Sequence, residues 1–417
     1  LADSFRVSYG KSFIDVKVSC GADLLSSPSE FFALPDEGVA EALENCVYSE
    51  SFDECVRQSE RVLFIFPDIT RKSGLQRFFH RMLETVKKHG KDFSVTFAVG
   101  THRPVTDAEK EEILGASYAA CAGRFIEHDC EDLENHAFFG ITKLKTPVLI
   151  NKMYMEHDLI VPVGAVGYHY FAGYGGGRKL VFPGIAAKKS IMRNHMLALD
   201  SSSGKRHPMA ANGELNRNPV HRDIVDALMI ARSDKTFFSV NTVLDEDGSL
   251  VDMVCGDLFM AHQEACNKLD DMFSVNTGRK YGALVVSCGG FPRDINMVQA
   301  QKSLDRAAAV AEEGASVYFF AECPDGYGNS YFQEFFDIPS SGGMLLSLLD
   351  DYQINRQTAF NLRSLTERFK VKLISSFSPE EAARMGFEHI SPSSEITIET
   401  EEGSAAFLPS AGLYLFR

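Results

Sequence analysis

Two histidines, a glycine run and a lysine stand close together between Val163 and His195, where the chain reads VGAVGYHYFAGYGGGRKLVFPGIAAKKSIMRNH. The imidazoles of His169 and His195 bind metal or move protons near neutral pH. The Lys179 amine, once deprotonated, forms a covalent bond to a suitable cofactor. Gly175, Gly176 and Gly177 carry no side chains, so a flat ligand has room against bare backbone. Lys179 follows His169 by ten residues, and His195 follows Lys179 by sixteen. Few structural roles need all three chemistries in one short segment.

Three further stretches carry reactive side chains. His102 lies in AVGTHRP. Asp68 and Arg71 lie in PDITRKSG; there Asp68 or Thr70 could simply cap a helix, or Arg71 could grip a carboxylate with two parallel hydrogen bonds. Gln299 and Lys302, in GGFPRDINMVQAQK, are three apart and so share one helical face. Such pairs are common on solvated faces. Other histidines, such as His80, His89 and His221, fall on polar helices or loops.

The elements around these residues alternate. Arg61–Phe66 and Asp158–Val163 are short apolar runs typical of buried strands, and Phe93–Ala98 is another. Between them Leu75–Lys88 has helical periodicity, with Phe78, Met82, Leu83 and Val86 on one face. Asp107–Leu114 is a second helix behind Thr106. This alternation predicts an α/β fold with mostly parallel sheets flanked by helices. Ligands in such sheets sit beyond the carboxyl ends of the strands, where Asp68, His102 and His169 all fall. Residues 200–216 read as a surface loop and 218–232 as a helix. Residues 235–254 form a hairpin around the DEDG turn at Asp245, which lacks the other ligands of a calcium loop. The polar stretch 274–281 is the linker candidate. It divides the chain into an α/β domain at 1–273 and a second at 282–417, with the active site expected in the cleft between them. In the second, Ala283–Cys288, Ser316–Phe320, Val371–Ile374 and Leu413–Phe416 read as strands, and Ile295–Glu313 and Asn355–Phe369 as helices.

A chain of 417 residues, 45% hydrophobic and 24% charged, has the make-up of a globular protein with two cores. No apolar run approaches a membrane span, and LADSFRVSYG lacks the pattern of a signal peptide. Nine scattered cysteines without a C-x-x-C pair suggest reduced thiols in a cytoplasm. The net charge of −15 disfavours nucleic acid and anionic membranes as partners.

The motifs resemble the lactate racemase family of 2-hydroxyacid racemases and epimerases that use a nickel-pincer nucleotide. The family pattern H-x-F-A-G-x-x-G-G-x-K, then P-G, then N-H falls on His169, Phe171, Ala172, Gly173, Gly176, Gly177, Lys179, Pro183, Gly184, Asn194 and His195. The Asp-x-x-Arg element, the glycine-linked histidine and Gln-x-x-Lys match in order at Asp68 and Arg71, His102, and Gln299 and Lys302. The resemblance implies inversion at C2 by hydride transfer through a 2-oxoacid. It also implies cofactor attached at Lys179 through a thioamide, with Asp68 and Gly175–Gly177 as further cofactor contacts. His195 would be the protein ligand to nickel, His102 and His169 the acid/base pair, and Arg71, Gln299 and Lys302 the substrate grip. Cofactor-maturation proteins are the implied partners. One position departs: the family's tyrosine before the glutamine is Val298 here, which sets lactate itself apart from the rest of the match.

Two other readings stay open. A zinc hydrolase could use His102, His169 and His195, although no H-E-x-x-H occurs and Lys179 would be unexplained. A non-catalytic nucleotide-binding protein could use AGYGGGRKL, although Leu180 breaks the phosphate-loop spacing.

Overall fold

The computed structural model describes residues 3–27, 31–200, 202–232, 235–401 and 403–417. The chain forms two compact units. One comprises Ser29–Ala198 and Pro208–Asp271; the other comprises Leu1–Pro28, Leu199–His207 and Met272–Arg417.

The first unit is built on the apolar run Arg61–Phe66, buried from Val62 onward. A strand covered on both faces has no need for polar alternation. It pairs in parallel with Asp92–Phe97 and Leu159–Ala165. Ser239–Leu244 adds to Leu159–Ala165 in parallel, and Leu250–Gly256 closes that side as the antiparallel hairpin partner. Asp158 fixes where pairing starts, because its carboxylate accepts the Glu60 and Arg61 N–H groups, both at 2.7 Å. Phe64 and Phe66 pack edge-on against Phe79 at ring separations of 5.1 and 4.9 Å. Phe79 opens the helix Phe79–Lys88, which buries Met82, Leu83 and Val86 with it. Thr106 caps Asp107–Leu114 in a reciprocal box with Glu109. At the DEDG turn Asp245 accepts the backbone N–H groups of Asp247 and Ser249, so it is a plain turn. Because the strands are parallel, Phe66, Phe97 and Ala165 end on one edge of the sheet. From there the chain runs into Asp68, His102 and His169.

In the second unit Glu388–Ile390, Lys370–Ile374, Ala311–Phe320, Tyr281–Ser287, Ala405–Leu408 and Asp23–Leu24 lie side by side, every pair parallel. The hairpin Asp3–Tyr9 and Ser12–Val18, which the sequence reading does not anticipate, pairs with Glu395–Ile398. Its inward residues Val7, Ile14, Val16 and Val18 share a core with Val285, Phe320 and Ile374. This burial corrects the expected division at 1–273: the first residues belong with the C-terminal sheet. The expected linker is also structured, since Ser274–Val275 pairs with Leu415–Phe416. The helix expected over Ile295–Glu313 stops at Ala307, and a strand begins at Ala311.

The supposed loop after Leu199 contains the short hairpin Leu199–Asp200 and Lys205–Arg206. Arg206 donates to Asp305 at 2.6 Å and to Asn361 at 2.9 Å. The Asp305 side chain is 1% exposed and Arg206 27%. Removing the cation leaves a buried carboxylate without this counter-charge. Arg206→Ala is therefore expected to lower stability by about 3 kcal/mol in urea unfolding, and adding Asp305→Asn should recover most of the loss.

Candidate active site

The turn after Phe66 places Asp68 beneath His102. Asp68 is buried, and its Oδ1 accepts the Thr70 N–H at 3.0 Å and hydroxyl at 2.5 Å. Its Oδ2 lies 2.5 Å from Nδ1 of the half-exposed His102. Burial alone would raise the Asp68 pKa. The hydrogen bonds from His102 and Thr70, with the charges of His102 and Arg71, outweigh it and hold the carboxyl at about 2. An ionised carboxylate on Nδ1 fixes the imidazole with Nε2 as its basic nitrogen. The sequence suggests a cofactor contact for Asp68; in the structure its oxygens are engaged by Thr70 and His102, so it first orients His102. The backbone after the next strand is tied to the segment after Lys179, where Gly100 N–H donates to the Gly184 carbonyl at 3.0 Å.

The glycine-rich segment folds into a tight antiparallel pair, His169 opposite Gly173 and Tyr168 opposite Tyr174. Ala172 N–H donates to His169 Nδ1 at 3.3 Å. At the tip, Phe171 gathers the candidate groups. Its ring centre lies 4.4 Å from that of His169 and 4.7 Å from that of His195, with Lys179 Nζ 5.6 Å away. The two histidines and the lysine thus each lie against the Phe171 ring. The field of Arg71 reaches Asp68, Lys179 and His195, linking this cluster to the Asp68–His102 pair. The Lys179 pKa is pushed well below its ordinary value, by burial first and then by the charges of Arg71 and Arg178. His195 is held at about 3, by burial and then by the Lys179 charge, with a contact to the Ile191 carbonyl opposing. Among the described residues its buried Nδ1 has no hydrogen bond of normal geometry.

The glycines serve a purpose the sequence does not show. A Cβ on Gly176 would stand 2.8 Å from the Ala165 carbonyl oxygen, and one on Gly177 2.4 Å from Asn241 Oδ1. Both have positive φ, at 78° and 43°. They let the loop close on its own sheet. Only Gly175 keeps an open direction, with the Gly167 oxygen 3.7 Å from its Cβ position.

Sequence reasoning misses the residues that hold this cluster. Arg178 is fully buried, and among the described residues no carboxylate pairs with it. Its guanidinium donates to His221 Nδ1 at 3.0 and 2.8 Å and lies 2.6 Å from His262 Nε2. His262 Nε2 is also 2.9 Å from the Gly175 carbonyl. Because the guanidinium only donates, we assign that nitrogen as its acceptor. Burial pushes Arg178 down to about 10, and burial with the Arg178 charge holds His221 at about 2 and His262 well below the ordinary value. His221 is therefore a neutral partner of Arg178 and not a solvated helix residue. Asn218 caps the helix Pro219–Ala231 and donates to the Phe171 carbonyl at 3.0 Å. From the same helix, Asp223 accepts Asn194 Nδ2 at 2.9 Å, anchoring the helix Lys188–Met196 that carries His195. A lone Arg beside Lys179, and polar residues in the first turns of a capped helix, were the only signals.

Gln299 and Lys302 sit on the helix Met297–Ala307 of the other unit, where Lys302 Nζ donates to Gln299 Oε1 at 2.6 Å. Among the described residues no group of three or more His, Cys, Asp or Glu is placed to hold a metal, so His102, His169 and His195 do not make a zinc site. Among them, too, no helix is long and apolar enough to cross a membrane. The nine cysteines are free thiols.

Residues 9–206 match the lactate racemase N-terminal domain and residues 279–361 the lactate racemase C-terminal domain. A lactate racemase of Thermoanaerobacterium thermosaccharolyticum is 30% identical over 72% of this chain and 68% of its own. One of Lactiplantibacillus plantarum is 31% identical over 71% and 68%. The fold is that of the lactate racemase apoprotein of T. thermosaccharolyticum, with a TM-score of 0.85, 24% identity and full coverage of both chains. A Thermotoga maritima protein superposes with a TM-score of 0.67 and 19% identity over 88% of this chain and 97% of its own.

The depressed Asp68 pKa gives a pH test. Its contribution is complete above the ordinary carboxylate pKa of about 4 and is lost as pH falls from there towards 2. Asp68→Asn should cost about 2 kcal/mol near neutral pH and about half that near about pH 3. Urea titrations at the two pH values check it; equal costs would show that the charge is not what stabilises.

Proposed function

Because this chain belongs to the lactate racemase family, a family of isomerases, we propose that it inverts C2 of a 2-hydroxyacid by reversible hydride transfer through a 2-oxoacid. The observation that carries the reading is the convergence of His169, Lys179 and His195 on Phe171, beside the Asp68–His102 pair. Removing C2–H as a proton would leave a carbanion beside a carboxylate, which stabilises it poorly; hydride removal avoids that charge.

The residues fit a nickel-pincer nucleotide. His195 is neutral, the form in which imidazole ligates a metal, and its buried Nδ1 has no hydrogen bond of normal geometry among the described residues. The Lys179 amine is held towards its unprotonated form, the form that bonds to an acyl carbon. Lys179 would hold the nucleotide, with Asp68 and Gly175–Gly177 beside it, and His195 its nickel. When bound, the group supplies a hydride acceptor. His102 Nε2, backed by ionised Asp68, and His169 on the other antipodal route take the hydroxyl proton as hydride leaves and return it afterwards. Arg71 binds the substrate carboxylate, and Gln299 and Lys302 are the further substrate contacts that the family pattern implies. Cofactor-maturation proteins would act on the chain beforehand.

Chiral analysis of a 2-hydroxyacid panel with matured, nickel-loaded protein tests the proposal. No interconversion by protein carrying both adduct and nickel would overturn it. Lys179→Ala should fold and lose the covalent adduct in intact-mass spectra. His102→Ala should keep the adduct and lose on the order of 10²-fold in rate. Val298 should leave space near C3, so 2-hydroxyacids longer or more polar than lactate are expected to give the higher kcat/KM, and Val298→Tyr to reverse that order. Lactate as the best wild-type substrate, with no effect of Val298→Tyr, would refute the pocket argument alone.

A further inference from the structure

Phe171 is 2% exposed. Its ring meets His169 at an interplanar angle of 82° and His195 at 64°, and Tyr170 packs on it at 4.7 Å. Its backbone has little freedom: Asn218 donates to its carbonyl at 3.0 Å, and the following N–H donates to His169 at 3.3 Å. The last torsion of an imidazole is broad and roughly two-fold, so the ring plane is set by neighbours. With His195 Nδ1 lacking a normal hydrogen bond, packing sets that plane.

On the reading above, in which His169 moves protons and His195 ligates metal, we infer that Phe171 is the positioning residue that fixes these two imidazoles relative to each other. A flat ring presenting edge and face to two heterocycles restricts their rotation as an aliphatic side chain of similar bulk does not. Edge-to-face contacts add about 0.5–1.5 kcal/mol each beyond burial, enough to favour one ring orientation over its alternative several-fold. The residue touches neither substrate nor cofactor in this role.

The test compares Phe171→Leu with Phe171→Tyr in the full chain, and uses Phe171→Met as the ringless variant if the leucine protein does not fold. In apoprotein labelled with 15N-histidine, the His169 and His195 ring signals should be single in wild type and Phe171→Tyr. They should be doubled or broadened in the ringless variant. After maturation, the ringless variant should keep the Lys179 adduct by mass but bind less nickel per adduct. Its kcat should fall on the order of tenfold or more at little-changed KM, with Phe171→Tyr restoring both. Single, sharp ring signals and an unchanged nickel-to-adduct ratio without the aromatic ring would overturn the inference. A wild-type protein without adduct or racemisation would instead overturn the functional reading, and the apoprotein spectra would still decide the role of Phe171.

Discussion

The Asn218 carboxamide has two donor hydrogens and an oxygen with two lone pairs, and all four are engaged inside the protein. The oxygen accepts the N–H groups of Val220 and His221 at 3.0 and 3.3 Å, and the amide nitrogen donates to the carbonyls of Phe171 and Glu214 at 3.0 and 3.1 Å. One fully buried side chain therefore starts a helix and ties the Phe171 turn to it. The same helix holds Arg178 through His221 and Asn194 through Asp223, and Thr142 steadies the Asp223 carboxylate from its other side at 2.5 Å. Phe171, Arg178 and Asn194, all within one short stretch of chain, are thereby referenced to a single helix.

Charge inside the cluster runs against the molecule as a whole. The chain carries a net −15, yet Arg71, Arg178 and Lys179 act on one another's neighbourhood with Asp68 as the carboxylate among them. The three surrounding histidines, His195, His221 and His262, respond by staying neutral. Burying a cation without an anion is costly. The arrangement is consistent with a site whose electrostatic complement arrives with anionic ligands, and both a mononucleotide and a hydroxyacid carboxylate have that character.

Strand-forming runs buried on both faces, such as Arg61–Phe66 and Leu159–Ala165, announce themselves by apolar continuity, and the parallel sheet and its functional edge follow from their alternation with helices. The reactive residues were legible because Lys179, His169 and His195 combine unusual chemistry with a glycine run. The supporting residues were not, since Asn218, His221 and Asp223 look like the polar face of any helix until the fold turns them inward. The glycines were legible as special; that Gly176 and Gly177 also permit close approach to Ala165 and Asn241 within the protein was not. The N-terminal strands escaped because their sheet partners, Glu395–Ile398, come from the other end of the chain. Local pattern carries no record of such a long-range pairing.

The segment matching the family's N-terminal domain, residues 9–206, is not one folding unit. It holds strands that finish a sheet made of C-terminal residues, and it ends on Arg206, whose partners Asp305 and Asn361 lie far beyond it. One compact unit is assembled from three separate stretches of chain, interleaved with the two stretches of the other. A gene cut at any single point would leave both products with unpaired strand edges or exposed apolar faces. Recombination therefore has no clean joint at which to exchange one half for a foreign one, and changes that adapt one unit must be inherited together with the other.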